Sequence, residues 1–579
     1  MEFEKKPMVN WYDPKQLAST GLKTVVSGIF GSFADNREMQ AALDTETRFY
    51  DFSQKEAIWL DFISDLGDGF NPTYTMAKLM SQDYLEVAGN KLNRGDILIM
   101  GGDEIYPTPE MHEYRNRLQG PYHAAFPGNK NDPSPPSLFA IPGNHDWYDG
   151  LSNFLKIFCQ KRALGNWRTQ QSRSYFAIKL PHNYWLLAVD IQLEADIDYP
   201  QINYFRHIAE NEIQSGDKII LATAEPSWVY QSFDKKNSSH KRLKFFKDNV
   251  LCGKADGYYG GKNENLEITT ILTGDLHHYA RYEEVGEQNK ICQMITAGGG
   301  GAFMHPTHTL KDKIEPREGY NASLKKVFPS KGESKRLSLL NIIFPAYSLT
   351  MLLFFGVLHT FTTWLLQVGT KVNEKTFMES AATIDLFNGG IGDYIDLIIS
   401  SINHIPSVVG LNLLLVGGIL IFTDTKSGKG NYNYIAGFLH GLLHLINLYF
   451  CIWLFSWFNL AELGLALDHW KQVLLFSAEM IVIGGIFSGI LFGIYLLLSV
   501  SFLDNHITEA SSSYRWEGYK NFLRIHVSEK GITIYPIGVK NVVKNWKNVG
   551  SKEKPKFKGD TIDYQLIENP IEINNEKTL

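Results

Sequence analysis

The chain has 579 residues, a net charge of −6 and 44% hydrophobic residues. That is room for a soluble domain plus a second body, and too mild a charge for a nucleic-acid-binding surface. Cys159, Cys252, Cys292 and Cys451 are widely separated with no C-x-x-C pair, which excludes a disulfide scaffold and predicts reduced core thiols.

Residues 1–50 are expected to be a helical appendage. They lack the charged-then-apolar run of an export signal, and Val25–Phe33 is too short to span a membrane. From residue 51 to 310 the pattern changes. Short apolar runs, Ile58–Ile63, 96–100, Leu138–Ile141, Lys218–Leu221 and Ile268–Leu272, read as buried strands. Each is followed by polar groups: Asp65 with Gly67; Asp103 with Tyr106; Asn144, His145 and Asp146; Glu225; and Asp275, His277 and His278. Loops on a rigid sheet are where chemistry is placed. Asp, Asn and His at strand ends are what two divalent ions need to turn a bound water into a nucleophile, so the arrangement reads as a two-metal hydrolytic site.

The order of these blocks resembles the calcineurin-like metallophosphoesterase superfamily, with its D-x-H, G-D-x-x, G-N-H-[DE], later His and G-H-x-H motifs. The likeness covers roughly residues 55–305. It implies an α/β fold, a two-sheet β-sandwich flanked by helices. Gly67 stands where most of that family has His. The purple acid phosphatase branch shows the same D-x-G and a Tyr three residues after the bridging Asp, the place of Tyr106. Ala224 and Asp275 fall where two further imidazoles belong, with Glu225 beside the first.

Read as substitution, one site holds Asp65, bridging Asp103, His277 and Tyr106, and the other holds Asp103, Asn144, Glu225 and Asp275. So oxygen-rich a set favours Mn or Fe over Zn, and a phenolate ligand favours a ferric partner. The bland alternatives are that Asp275 caps a turn, that Glu225 is a surface residue and that Tyr106 only donates a hydrogen bond. The resemblance makes His145 the group that assists the leaving oxygen, with Asp146 orienting it. His278, and His305 after the Gly298–Gly301 run, are candidates for the substrate pocket.

A basic stretch, 311–336, reads as a juxtamembrane linker that anionic lipid headgroups would attract. Apolar residues then gather over 337–503, in stretches of about 337–368, 404–423, 434–458 and 472–503, each long enough to cross ~30 Å of hydrocarbon. Pro406 leaves the start of the second uncertain. These predict an all-α bundle of four spans. The basic flank before the first places both termini in the cytoplasm. His440 and His444 share one helix face near Asn447, with Glu479 and His359 in other spans. They read as an ion or proton site or as cross-helix hydrogen bonding, the latter favoured.

Residues 504–579 read as a cytoplasmic segment with a hairpin over 522–535 that packs on the cytoplasmic domain near the membrane, loosely ordered after 550. Together these features predict a membrane-tethered, dinuclear metal-dependent phosphoesterase whose substrate is a phosphoester, a lipid-linked one being favoured. The rival is an inactive phosphoesterase-like domain that binds a ligand for a membrane sensor or transporter.

Overall fold

A computed structural model of the chain describes residues 1–21, 48–129, 131–191, 197–234, 237–251, 266–286, 290–317, 320–370, 374–423 and 430–574. Two compact units are present. The first combines Met1–Val9, Ser19–Lys335 and Arg515–Leu579; the second combines Asn10–Ala18 and Arg336–Tyr514.

The first unit is mixed α/β and contains two nine-stranded sheets. The expected strands form where the apolar runs placed them: Ile58–Ile63, Ile97–Met100, Ser137–Ala140, Lys218–Thr223 and Glu267–Thr273. Their side chains are buried on both faces almost throughout, which is why they read as unbroken apolar runs rather than as alternation. Leu98, Met100, Leu138 and Ala140 pack outward in one core with Phe70, Tyr74 and Met76 of the Phe70–Met80 helix. Successive strand side chains point to opposite faces, so Phe139 points the other way, between Tyr50 and Phe176 of the second sheet at 4.9 and 5.0 Å. On the far side Ala177, Leu187, Val189 and Leu221 pack under Phe205, Trp228 and Phe246. The order is helices, sheet, sheet, helices.

Strands Ile58–Ile63, Ile97–Met100 and Ser137–Ala140 are parallel neighbours, in register Ile63↔Met100 and Met100↔Ala140. In the other sheet Lys218–Thr223 and Glu267–Thr273 are also parallel. Within each sheet, the polar blocks therefore leave from the same end.

Several expectations about boundaries are corrected. The C-terminal hairpin does more than pack on the domain, since it joins its sheet: Lys520–Ser528 pairs antiparallel with Ile58–Ile63, Leu523 opposite Phe62, and Gly531–Val539 follows it in the sheet. Residues 565–574 are ordered too, as Gln565–Leu566 and Ile571–Asn574 pair with Gly531–Val539. The basic linker is mostly strand: Lys313–Arg317 and Tyr320–Phe328 extend the other sheet. Part of its charge is paired, Lys325 with Glu283 at 2.9 Å and Lys331 with Asp312 at 2.6 Å. Of the N-terminal appendage, residues 14–21 are helical; Val25–Phe33 lies outside the described residues. Cys159, Cys292 and Cys451 are buried free thiols, and Cys252 also lies outside the described residues.

The second unit is helical. Three helices are long and apolar enough to cross a membrane: Leu349–Gly369, Asn431–Glu462 and Trp470–Leu503. The expected second span is instead Ile391–Ile402 and Pro406–Phe422, bent by 109° at the break, so the count is three, or four if the bent pair is one span. Pro406 cannot donate to the preceding turn and disfavours helix before it, which is the physical reason for the break. The first expected span starts later, at Leu349, because Phe344–Tyr347 and Leu339–Ile343 are short separate turns.

Candidate active site

Asp65, Asp103 and Asp275 follow their strands in the left-handed backbone region, at φ 59°, 51° and 65°. Non-glycine residues rarely adopt that conformation, and it persists where neighbours fix it. Here the loops are sewn together by main-chain bonds: Asp65 N–H donates to Gly102 O at 2.9 Å, Leu66 N–H to Asp103 O at 2.8 Å, and Gly274 N–H to Ala224 O at 2.8 Å. The approach is close. A Cβ on Gly143 would lie 2.0 Å from Asp103 Oδ1, and one on Gly274 would lie 2.8 Å from Asp65 Oδ2.

These loops bring together most of the expected residues. Tyr106 is the hub. Its hydroxyl lies 3.2 Å from Asp65 Oδ1, 3.1 Å from Asp103 Oδ2 and 2.9 Å from His277 Nε2. Asp275 joins through its backbone, whose N–H donates to both Asp65 oxygens at 3.1 and 2.9 Å. Asp103 Oδ1 accepts the His145 N–H at 2.9 Å. Asn144 lies in the same loop with a buried Oδ1 that has no protein partner.

Gly67 is explained by space. A Cβ there would sit 2.3 Å from Glu104 O, at φ 31°, so no imidazole can occupy the position without moving the Asp103 loop. Ala224 packs on Gly102, its Cβ 2.7 Å from where a Gly102 side chain would begin.

The second expected ligand set is only half assembled. The Asp275 carboxylate accepts from the Tyr230 hydroxyl. Glu225 is near enough to help Asp275 hold that phenol protonated.

Electrostatics follow from burial. Desolvation, then mutual repulsion with Asp275 and Asp65, raises the pKa of Asp65 and Asp103 well above the carboxylate range. The same burial and carboxylates push Tyr106 up, so its phenol keeps its proton here. Desolvation drives His277 well below its usual range. Its 3.5 Å approach to Asp65 is therefore a contact of neutral imidazole with carboxyl, not an ion pair. Its Nδ1 bonds Phe303 O at 2.7 Å, which puts the proton on Nδ1 and leaves the Nε2 lone pair facing the acids, the tautomer a metal ligand needs.

His145 departs from expectation. Its Nδ1 donates to Pro107 O at 2.9 Å, and burial lowers its pKa to about 4, so it is neutral with a bare Nε2. Asp146 orients other groups. Its oxygens accept from the Tyr114 hydroxyl and from the backbone of Glu104 at 3.1 Å and Gly143 at 3.0 Å. It braces the loop beneath the site.

His305 stacks on His277, centroids 3.9 Å apart, and takes the His277 N–H on Nδ1 at 3.3 Å. His278 Nδ1 lies 3.4 Å from His305 O. Both rings are buried, which makes them supports for His277 rather than walls of an open pocket. Lys520 is the residue sequence reasoning missed. Fully buried, it donates to Ala302 O and acts electrostatically on Asp65, His277 and His305. Desolvation lowers its pKa to about 8. No motif signals it, because it arrives from a strand more than two hundred residues beyond His305.

The donors test the metal expectation in two ways. Their chemistry is that of a hard cation's ligands: buried acids that repel one another, an unpartnered amide oxygen and an imidazole lone pair. Their spacing is not. Among the described residues no group of three or more His, Cys, Asp or Glu stands placed to hold an ion. The Tyr106 hydroxyl occupies the centre.

No protein-family model matches the chain, and no curated protein does. Among solved structures it is similar to GAP50, the anchor in the inner membrane complex of Plasmodium, at 13% identity and a TM-score of 0.31, covering 47% of this chain and 84% of that one. It is also similar to purple acid phosphatase PPD1 from yellow lupin (Lupinus luteus) seeds, at 11% identity and a TM-score of 0.32, covering 47% of this chain and 48% of that one. The chain thus spans about half the length of the phosphatase.

Proposed function

We propose that the chain is a membrane-tethered, metal-dependent hydrolase of phosphoesters, mono- or diester, with a lipid-linked phosphate as the favoured substrate and both termini cytoplasmic. One observation carries the reading: Asp65, Asp103 and His277 each place a ligating atom within 3.2 Å of a single phenol oxygen, although they come from three strand ends as far as 212 residues apart in sequence. The three helices long enough to span a bilayer support the tether.

Two ions held by Asp65, Asp103, Asn144, Asp275 and His277, with Mn or Fe favoured over Zn, would supply Lewis acidity and a water activated at neutral pH. The chain's own groups do the rest. The buried Lys520 ammonium offsets part of the negative charge of the site, so that a phosphate can approach. His145 presents Nε2 to the leaving oxygen. Unprotonated in this structure, Nε2 becomes a proton donor once the negative charge of bound substrate raises the imidazole pKa. Tyr106 would serve as a phenolate ligand to a strongly Lewis-acidic ion, its proton released to solvent, or would stay a donor to the two aspartates.

The second reading is a ligand-binding domain without turnover. The capping of Asp275 by Tyr230 and the absence, among the described residues, of a ready three-ligand group favour it.

The experiment is metal analysis and aryl phosphate hydrolysis by the full chain, wild type against Asp103→Ala and Asp275→Ala. Metal and turnover in wild type, with both lost in Asp103→Ala, are expected. Metal-free wild type without turnover would establish the binding reading. Unchanged metal in Asp275→Ala would remove that residue from the ligand set.

A further inference from the structure

The helical unit buries histidines that the site above does not use. On the Gly430–Ser456 helix, His440, His444, Asn447 and Cys451 recur at intervals of four, three and four residues. They line one helix face over roughly 16 Å. His440 and His444 bring their Nε2 atoms to 3.1 Å. Asn447 Nδ2 donates to Ser488 Oγ at 2.9 Å, and Ser488 Oγ in turn lies 3.3 Å from His359 Nε2. His359 and His444 are fully buried and His440 is 3% exposed.

Counting protons on this cluster is informative. A neutral imidazole carries one N–H. In the His440–His444 contact one Nε2 must donate and the other accept. The accepting ring then carries its proton on Nδ1, while the donating ring has a bare Nδ1. Neither Nδ1 has a protein partner, nor does His359 Nδ1. At least one N–H and one lone pair are therefore unsatisfied inside an apolar bundle. Each costs about 1–3 kcal/mol if left so. A network serving only to fix helices would close on itself. This one ends in three open ring nitrogens, and open buried groups of this kind are where water is held.

Among the described residues no fixed countercharge faces the pair. The groups acting electrostatically on His440 and His444 are His506, His359 and each other. Tyr495 stacks on His440 with centroids 4.0 Å apart, and its hydroxyl lies 3.2 Å from His506 Nε2. Of the acids on neighbouring elements, Glu509 lies 3.7 Å from His506 Nδ1, Glu479 accepts from Asn459 at 2.8 Å, and Glu379 accepts from Thr376. Cys451 donates its thiol to Asn447 at 3.7 Å.

We propose that His440 and His444 form a hydrated proton-binding site in the interior of the helical unit, an added proton entering at the bare Nδ1 and its charge being shared by both rings through the proton between their facing Nε2 atoms. Adding it converts an N–H···N contact in which one ring is a mere acceptor into one in which both outer Nδ1 atoms carry protons and both donate to water. The sequence spacing alone favoured cross-helix bonding; the three open nitrogens point past it.

The test is nitrogen NMR of the full chain in lipid nanodiscs, with ¹⁵N-labelled histidine, from pH 8 down to pH 3. His440→Gln and His444→Gln assign the signals. The expected result is that both rings change protonation together, as a single one-proton step, and that their Nδ1 sites exchange magnetisation with water. Two rings that titrate independently would overturn the shared proton. Rings that do not titrate over this range, or whose Nδ1 atoms do not contact water, would overturn the site. Either variant alone assigns the pair, because it removes one signal and shifts the partner's, so the failure of one to fold leaves the test intact.

Discussion

The pairing of Lys520–Ser528 with Ile58–Ile63 makes the last residues of the chain part of the sheet that carries Asp65 and Asp103, and one buried ion pair tests it. Arg524 donates from Nε to Asp61 Oδ1 at 2.7 Å and from Nη2 to Asp61 Oδ2 at 2.9 Å, while Nη1 reaches Leu92 O at 3.2 Å. The two side chains are 0% and 3% exposed. Arg524→Met keeps most of the apolar stem and strands the Asp61 carboxylate in the sheet. Breaking a buried pair in this way costs about 3–5 kcal/mol. Removing both charges, as Arg524→Met with Asp61→Leu, should recover most of that loss, because the desolvation penalty disappears with the pair. The resulting coupling is at least ~2 kcal/mol. Pulse proteolysis of the full chain in detergent across a urea series measures both, reading cleavage within residues 50–335. If Arg524→Met cost less than ~1 kcal/mol, or the double variant were as unstable as the sum of the singles, the strand would not be integral to the sheet.

The other predictions concern His145 and a buried acid. His145→Ala should lower turnover by about 10²–10⁴ for alkyl phosphates and far less for nitrophenyl phosphate, whose leaving group needs no proton; equal losses on both would reduce His145 to a binding group. Burial raises Asp68 to about 6, against the partial compensation of Arg117. The folded state then binds a proton between roughly pH 4 and 6 that the unfolded state does not, so this group's contribution is fully present below pH ~4 and lost as pH rises through about 6. Asp68→Asn should therefore stabilise the chain at pH 7 by about 1–3 kcal/mol and do nothing at pH 4, which unfolding at the two pH values checks.

What the sequence made legible follows from range. Buried strands are local: Ile97–Met100 is apolar because both its faces are covered, and the turn after it is polar because it leaves the sheet. The same locality revealed the hairpin over 522–535 but not its pairing within the sheet, since that depends on Leu523 meeting Phe62 more than four hundred residues away. The basic run before the helices was misjudged for a related reason. Lysines on a strand and lysines in a linker have the same composition, and only the pairing of Tyr320–Phe328 with Tyr279–Val285 and Lys313–Arg317 shows these to be strand. Gly67 was visible as a departure, yet its cause, the Glu104 carbonyl 2.3 Å from a Cβ, is tertiary. His145 was found by motif, while its orienting partner, the Pro107 carbonyl, belongs to no motif.

The aspartates themselves argue that this cluster exists for something other than the fold. Asp65, Asp103 and Asp275 all hold left-handed backbone, at a cost of about 1–3 kcal/mol each. The first two are also so buried and so close to like charge that their protons are hard to lose. Folding would be better served by neutral side chains of the same shape. Asp103→Asn is the sharpest case, because its amide oxygen can still take the His145 N–H while its NH₂ group donates to Tyr106. In chelator the variant should equal or exceed wild type in stability, by up to ~2 kcal/mol. With Mn or Fe added the order should reverse, since an ion that binds only the native aspartate set stabilises wild type alone. An Asp103→Asn chain less stable than wild type even in chelator would make that carboxylate structural and remove the reason to expect an ion beside it.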